Sequence, residues 1–320
     1  MLFKRFLSLV ALMILSVSGQ AGSTDQWQTL QKMAVAAHVL NYQGIFVCQT
    51  GAQSKSVEIK HIYNGHDEFA RNVVLDGSPR EVLNQSGDVV IYNPKNEKIV
   101  IEKRRGQNMF PAILPTDLDS IKANYTLKAG EIERVADRQA QILFLESKDN
   151  LRYSYKFWVD SEYGLLLKSV MLNNRNEALD SMAFTQLTLI KSMELDWFKP
   201  KIDGKKAYVM EDVNTIADKQ DSPHWRLKGL PEGFVKVDQM MRAVKGKTWP
   251  VTHLIFSDGL ASVSLFIEPL ENGIKPRNGR SLVGNTSFYA NVAGNLQITV
   301  VGEVPEVTVA KIANAVVFVK

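Results

Sequence analysis

The sequence predicts an α+β protein: a large, strongly curved antiparallel sheet with covering helices, then a smaller antiparallel sheet with one helix. Three observations carry this. A single apolar helical stripe gives way at Tyr42 to period-two alternation. Short turn signals separate the alternating runs, so sequential strands form a meander rather than crossovers. A second set of hairpins, closed by one helix, begins near Trp225.

The elements follow in order. Met1–Ala21 has a charged start at Lys4 and Arg5, an apolar run from Phe6 to Val17, and small residues at Gly19 and Ala21. This is the pattern of a cleaved signal peptide, and the run is too short for the roughly 20 residues of a membrane span. Ser23 and Gln26 have capping-box spacing. Behind them Trp27, Leu30, Met33, Ala34, Ala37 and Leu40 form one helical stripe. Ser56–Asn64, Phe69–Leu75 and Arg80–Asn84 read as strands, the last two joined by the turn Asp76-Gly77-Ser78-Pro79. Asp88–Tyr92 and Lys98–Lys103 flank a second turn at Asn93-Pro94-Lys95-Asn96. Asn108–Ala123 breaks the meander with Pro111 and Pro115, and a short helix is expected at Leu118–Ala123. Strands resume at Tyr125–Lys128, Glu131–Val135, Arg138–Glu146, Leu151–Val159, Leu165–Asn173 and Ala183–Leu189.

Residues 198–224 carry Pro200, Gly204, a run of lysines and little periodicity, and are expected to link a large domain (22–197) to a small one (225–320). In the latter, Phe234–Val237 is a strand. Val251–Phe256 and Leu260–Ile267 form a hairpin around Ser257-Asp258-Gly259, and Ser287–Val292 and Leu296–Val301 another around Ala293-Gly294-Asn295. Pro305 and Glu306 open a final helix, with Val309, Ile312, Ala313 and Val316 on its buried face.

Composition narrows the function classes. The 320 residues are 45% hydrophobic and 22% charged, which are globular values. The single Cys48 excludes a disulfide scaffold, a thiolate zinc site and a cysteine-ligated cluster. It lies in an apolar run and reads as a small buried hydrophobe. Without Lys4 and Arg5 the chain has 36 basic and 34 acidic residues, a balance unlike that of a nucleic-acid binder.

Catalytic and cofactor motifs are absent: no G-x-S-x-G, H-E-x-x-H, C-x-x-C, P-loop or G-x-G-x-x-G occurs. His61 and His66 with Asp67 and Glu68 are closest to a metal site, and a solvated hairpin pair is the preferred reading. No catalytic residue, metal ligand or cofactor is therefore assigned. What remains is surface for binding. Tyr153, Tyr155 and Phe157 share one strand face with Leu151 and Val159, opposite Arg152, Ser154, Lys156 and Trp158. That face is either ordinary core beneath a helix or the apolar wall of a ligand cavity. Met109, Phe110, Ile113 and Leu114 are either a mobile lid or a buried plug. Lys98, Lys103, Arg104 and Arg105 form one basic cluster, and Arg242, Lys245 and Lys247 a second. Each is either a solvated face or a contact for an anionic headgroup or acidic partner.

Several runs resemble the MucB/RseB family of periplasmic sigma-E regulators: LNYQGIF at Leu40–Phe46, LDGSPREV at Leu75–Val82 and FPAIL at Phe110–Leu114. ERVADR at Glu133–Arg138, YSYKFWVD at Tyr153–Asp160 and GLLLK at Gly164–Lys168 continue the likeness. In the second half, HLIFSDGLASVSLFIEPL at His253–Leu270 is the most specific, and VVGEVP at Val300–Pro305 follows. The resemblance implies a half-barrel large domain like those of the lipoprotein carriers LolA and LolB, and a small C-terminal domain. It implies periplasmic location and binding to the periplasmic segment of a membrane anti-sigma factor of the RseA/MucA kind. That segment would be shielded from the site-1 protease until lipopolysaccharide or lipoprotein acyl chains release it. Two other readings stay open: a periplasmic carrier of lipid or lipoprotein, and an exported hydrolase. Self-association is left open.

Overall fold

The computed structural model describes residues 22–318, less 86–87, 94–97, 104–108, 192–193, 200–208, 213–214, 217–224, 243, 245–246, 248, 271–272 and 274. Helix α1 (Gly22–Val39) leads into β1 (Tyr42–Thr50), β2 (Gln53–Tyr63), β3 (Glu68–Val74), β4 (Glu81–Gln85), β5 (Asp88–Asn93) and β6 (Lys98–Lys103). A proline-bounded stretch and the short α2 (Asp119–Asn124) carry the chain to β7 (Tyr125–Val135). The return runs through β8 (Arg138–Ser147), β9 (Ser154–Asp160), β10 (Leu166–Leu172) and β11 (Ala178–Leu189). Among the described residues these strands and β12 (Val209–Asp212) make one twelve-stranded sheet, ordered β12-β6-β5-β4-β3-β2-β1-β11-β10-β9-β8-β7.

The earliest strand therefore sits mid-sheet, between β2 and β11, and every pairing is antiparallel except β12 with β6. Helix α1 touches β2, β7 and β9, although β2 and β7 are far apart in the strand order, so the sheet curls around it. Its stripe is the predicted one: Leu30, Met33, Ala34 and Ala37 are buried against the sheet. Bulges between Ile45 and Phe46 in β1 and between Ala129 and Ile132 in β7 add local bend. The latter joins what the sequence reads as two strands. Ala136 and Asp137 both take positive φ, the conformation of a tight two-residue hairpin turn between β7 and β8.

The second unit contains β13 (Thr215–Ile216), β15 (Val235–Arg242), β16 (Val251–Ser257), β17 (Ser262–Pro269), β18 (Gly279–Val283), β19 (Thr286–Ala293) and β20 (Leu296–Gly302). Their order is β13-β15-β16-β17-β20-β19-β18. Helix α3 (Glu306–Asn314) packs on β19 and β20, and β14 (Trp225–Leu227) pairs with β21 (Val316–Phe318). Val309, Ile312 and Ala313 are buried on α3 as expected. Val316 is buried too, but as the first residue of β21 rather than as part of the helix. Between 198 and 224, β12 extends the large sheet and β13 the small one.

The C-terminus of α1 is fastened to the sheet by charge. Glu68 on β3 accepts from His38 Nδ1 at 3.0 Å and from His61 Nε2 at 3.1 Å. His61 Nδ1 donates to Leu40 O at 2.8 Å, and its ring stacks on Tyr42 at 4.7 Å. His61 is thus buried and bridging, in contrast to the solvated reading, because its strand runs beneath the helix end. Burial pushes the Glu68 carboxyl up, but the hydrogen bonds and charge of the two histidines outweigh it and bring it from 4.5 down to about 2. A carboxyl that titrates lower when folded stabilises the fold above its ordinary value, and that contribution is lost as pH falls toward 2. Glu68→Gln is expected to lower the thermal midpoint at neutral pH and to flatten its acid-side decline below pH 4.5. Thermal unfolding followed by circular dichroism at stepped pH checks this; parallel declines in the two chains would place the acid sensitivity elsewhere.

Candidate functional site

The two sheets meet at a seam built from short-range sequence. The hairpin Ser257-Asp258-Gly259 projects from the small unit toward α2 and β7. At Gly259 φ is +100°, and an added Cβ would lie 2.4 Å from Ser120 Oγ, so only glycine makes the turn there. Asp258 is buried, and its Oδ1 accepts from the backbone N–H groups of Leu260 at 3.0 Å and Ala261 at 2.8 Å. That closes the turn locally and aims Oδ2 at the large unit. There Tyr125 Oη donates to Oδ2 at 3.0 Å, and Arg152 Nε lies 3.0 Å from the same oxygen.

Arg152 is 1% exposed and is the largest fully buried side chain among the described residues. Its Nη2 donates to Glu232 O at 2.6 Å, and its Nη1 lies 3.2 Å from Asp149. Its guanidinium lies 5.2 Å from the Phe234 ring centroid. The Nε–H is not aligned for a hydrogen bond with Asp258, so charge rather than directed bonding holds that contact. Burial, followed by the Asp258 charge, raises the Tyr125 hydroxyl well above its ordinary range. Thr308 Oγ1 donates to Leu151 O at 2.5 Å and adds a second tie. Period-two reading puts Arg152 on the outer strand face. In the structure β9 begins only at Ser154, and Arg152 precedes it in a bend turned toward the small unit.

Two openings flank this seam. One, of about 430 Å³, is a groove touching His38, Leu114, Pro115 and Thr116 on one side and Val237, Ser257 and Gly259 on the other. The other, of about 120 Å³, is lined by Ile113, Tyr155, Ser169, Met171, Asp180, Ser181, Met182, Leu260 and Glu303. A third void of about 20 Å³ lies within the large unit beneath Met109, Phe110, Pro111 and Ala112.

The predicted apolar residues do not converge on one of these. Tyr155 and Ile113 line the 120 Å³ cavity, and Leu114, almost wholly buried, edges the groove. Met109 and Phe110 border the smallest void. Phe110 is a plug: its ring lies 4.9 Å from Phe46 and 5.1 Å from Phe184. Phe157 is fully buried core, and Tyr153 is buried beside the small unit's Ser287. The opposite face is not bare either. Trp158 is buried beneath Lys156 and Lys168, at 4.4 and 4.3 Å from its ring, and donates to Glu133 at 2.7 Å.

The basic clusters are only partly described. Lys103 ends β6, while Arg104, Arg105 and Lys245 lie outside the described residues. Arg242 ends β15 opposite Thr215, and Lys247 is paired with Glu268. Cys48 is half-buried and free; burial, aided by the Asp180 charge, pushes its thiol up to about 11. That is an unreactive thiol. The residues missed by sequence reading are Tyr125, Arg152, Asp258, Asp180 and Glu303. Asp258 and Glu303 lie inside runs that carry the family resemblance.

Comparison with known proteins fits this geometry. The MucB/RseB N-terminal domain family matches residues 25–202, and the MucB/RseB C-terminal domain family matches residues 219–317. The sigma-E factor regulatory protein RseB of Haemophilus influenzae is 28% identical over 316 residues, covering 98% of each chain. The sigma factor AlgU regulatory protein MucB of Pseudomonas aeruginosa is 28% identical over 302 residues, covering 93% of this chain and 92% of that one. Among solved structures, MucB in complex with MucA(peri) superposes with a TM-score of 0.74 at 26% identity, covering 92% of this chain and all of that one. A crystal structure of MucB gives 0.67 at 27% identity, covering 93% of this chain and 99% of that one. With matches over both units and in the same order, the chain belongs to the MucB/RseB family.

Proposed function

We propose that this protein is a periplasmic negative regulator of the sigma-E envelope stress response. It binds the periplasmic segment of a membrane anti-sigma factor, shields that segment from the site-1 protease, and lets go when a lipid-type signal arrives. The observation that carries this is the likeness over both units to MucB in its complex with MucA(peri). The role is one of binding rather than catalysis, and residues 1–21 act as the export signal. A lipid carrier needs only the large sheet and its cavity; the charged, buried seam to a second sheet argues for a protein that uses both.

The seam gives the regulation a physical form. A partner and a lipid that prefer different arrangements of the two units oppose each other through the population of those arrangements. With the purified anti-sigma segment, the site-1 protease and this protein, cleavage is expected to slow in proportion to complex formed, and added lipopolysaccharide to restore it. Cleavage at an unchanged rate at saturating protein would refute the shielding role.

Because Arg152 is buried against Asp258, removing it leaves an uncompensated charge. Arg152→Ala is expected to destabilise the protein by about 3–5 kcal/mol. The Arg152→Ala/Asp258→Ala double variant should lose less than the sum of the two singles. Denaturant unfolding of the four chains of this cycle checks both, and additive losses would mean the pair is not coupled.

A further inference from the structure

The central strands of the small sheet run from the seam to an opposite end, and two loops share that end. One joins β15 to β16 over 243–250; the other leads from β17 to β18 over 270–278. Strand register brings them together. Glu268 on β17 lies directly opposite Gln297 on β20. Lys247 of the first loop is paired with Glu268. In the second loop the Arg277 backbone N–H donates to Gln297 Oε1 at 2.8 Å, and Gln297 Nε2 donates back to Arg277 O at 3.0 Å. Opposed strand residues sit about 5 Å apart, so the two loops are fastened side by side. With Arg242 at the end of β15, they hold five basic residues, Arg242, Lys245, Lys247, Lys275 and Arg277, against one acidic residue, Glu271. Lys275 and Arg277 are exposed, and among the described residues neither forms an ion pair. In the first loop Trp249 is 59% exposed and Val244 40%. Trp197, the other exposed tryptophan among the described residues, carries Lys60 over its ring at 3.0 Å; Trp249 has no such cover among them.

We propose that this end of the small unit is a docking surface for an anionic lipid bilayer. Trp249 and Val244 enter the headgroup layer, and Lys275 and Arg277, with Arg242 at the strand end, meet the lipid phosphates. An indole ring, apolar in body and polar at one edge, settles at the membrane–water boundary. Basic side chains are drawn to an anionic leaflet. An acidic polypeptide would use the charge but would have no need of a bare indole beside it. Attachment of this kind lies on the membrane and needs no spanning segment. The bilayer is here a surface to stand on, separate from the lipid-type signal of release. β16 is seven residues long. At about 3.4 Å per residue the seam would stand roughly 20 Å off the lipid. The docking surface stands on these two loops alone. That it would hold the seam near the membrane-proximal stretch of an anti-sigma factor rests on the regulatory role proposed above.

Co-sedimentation of the mature chain with vesicles tests this, using phosphatidylglycerol mixed with phosphatidylethanolamine against neutral phosphatidylcholine. The protein is expected to bind the anionic vesicles, to lose them as salt rises, and to leave the neutral ones in suspension. A basic side chain near such a surface contributes roughly fivefold to partitioning, so the Lys275→Gln/Arg277→Gln double variant is expected to bind roughly 25-fold more weakly. Trp249→Ala is expected to weaken binding and keep its salt dependence. Lipids brominated on the acyl chain are expected to quench the wild type more than Trp249→Ala, the difference reporting Trp249 alone. All three positions are exposed, so thermal melts of both variants are expected to match the wild type. A wild type that ignores anionic vesicles overturns the docking surface, as does full binding by the double variant. Binding with no acyl-chain quenching at Trp249 overturns it too, in favour of a charge contact such as an acidic polypeptide makes. So does retention by lipopolysaccharide micelles without retention by phosphatidylglycerol vesicles. No anti-sigma segment enters these measurements, so its shielding is decided separately by the cleavage assay.

Discussion

A buried ion pair between two sheets imposes the main constraint on this molecule. Arg152 and Asp258 are both withdrawn from water, and each is tolerable only because the other, and the groups around them, are in place. Asp258 spends one oxygen on its own hairpin turn and offers the other across the seam; Arg152 spends its outer nitrogens on Glu232 and Asp149. The relative placement of the two units therefore depends on two short stretches of chain. A non-polar seam would be easier to build and would slide more freely. A charged one has few acceptable registers.

The concave face of the large sheet is correspondingly well filled. Helix α1 lies in the curve, Phe110 wedges between Phe46 and Phe184, and the His38–Glu68–His61 bridge anchors the helix end. Among the described residues, the larger openings lie where the two units approach each other, in the groove beside His38 and the cavity beside Tyr155, more than in the half-barrel.

Local periodicity made much of this legible in the sequence. The α1 stripe, the hairpins about Asp76–Pro79, Ser257–Gly259 and Ala293–Asn295, and the α3 start are all set by neighbours a few residues apart. What escaped was set by distance. Arg152 looks like an outward strand residue until β9 is seen to begin after it. His38, His61 and Glu68 come together only because the sheet curls under the helix. Asp180 on β11 and Glu303 just beyond β20 are 123 positions apart, and no spacing rule links them. β12 and β13 lie in a stretch without alternation, so a sheet-edge role has no signature there.

The central position of β1 has a consequence for how the chain is made. One edge of β1 is satisfied at once by β2, but the other waits for β11, some 130 residues later. As the polypeptide emerges from its N-terminus, that second edge is a row of unmet amide and carbonyl groups beside an apolar face. Nascent chains in this condition are sticky, and pairing over such a loop is slow. Biogenesis, more than the finished fold, is then the stage at which a holding chaperone matters to this protein.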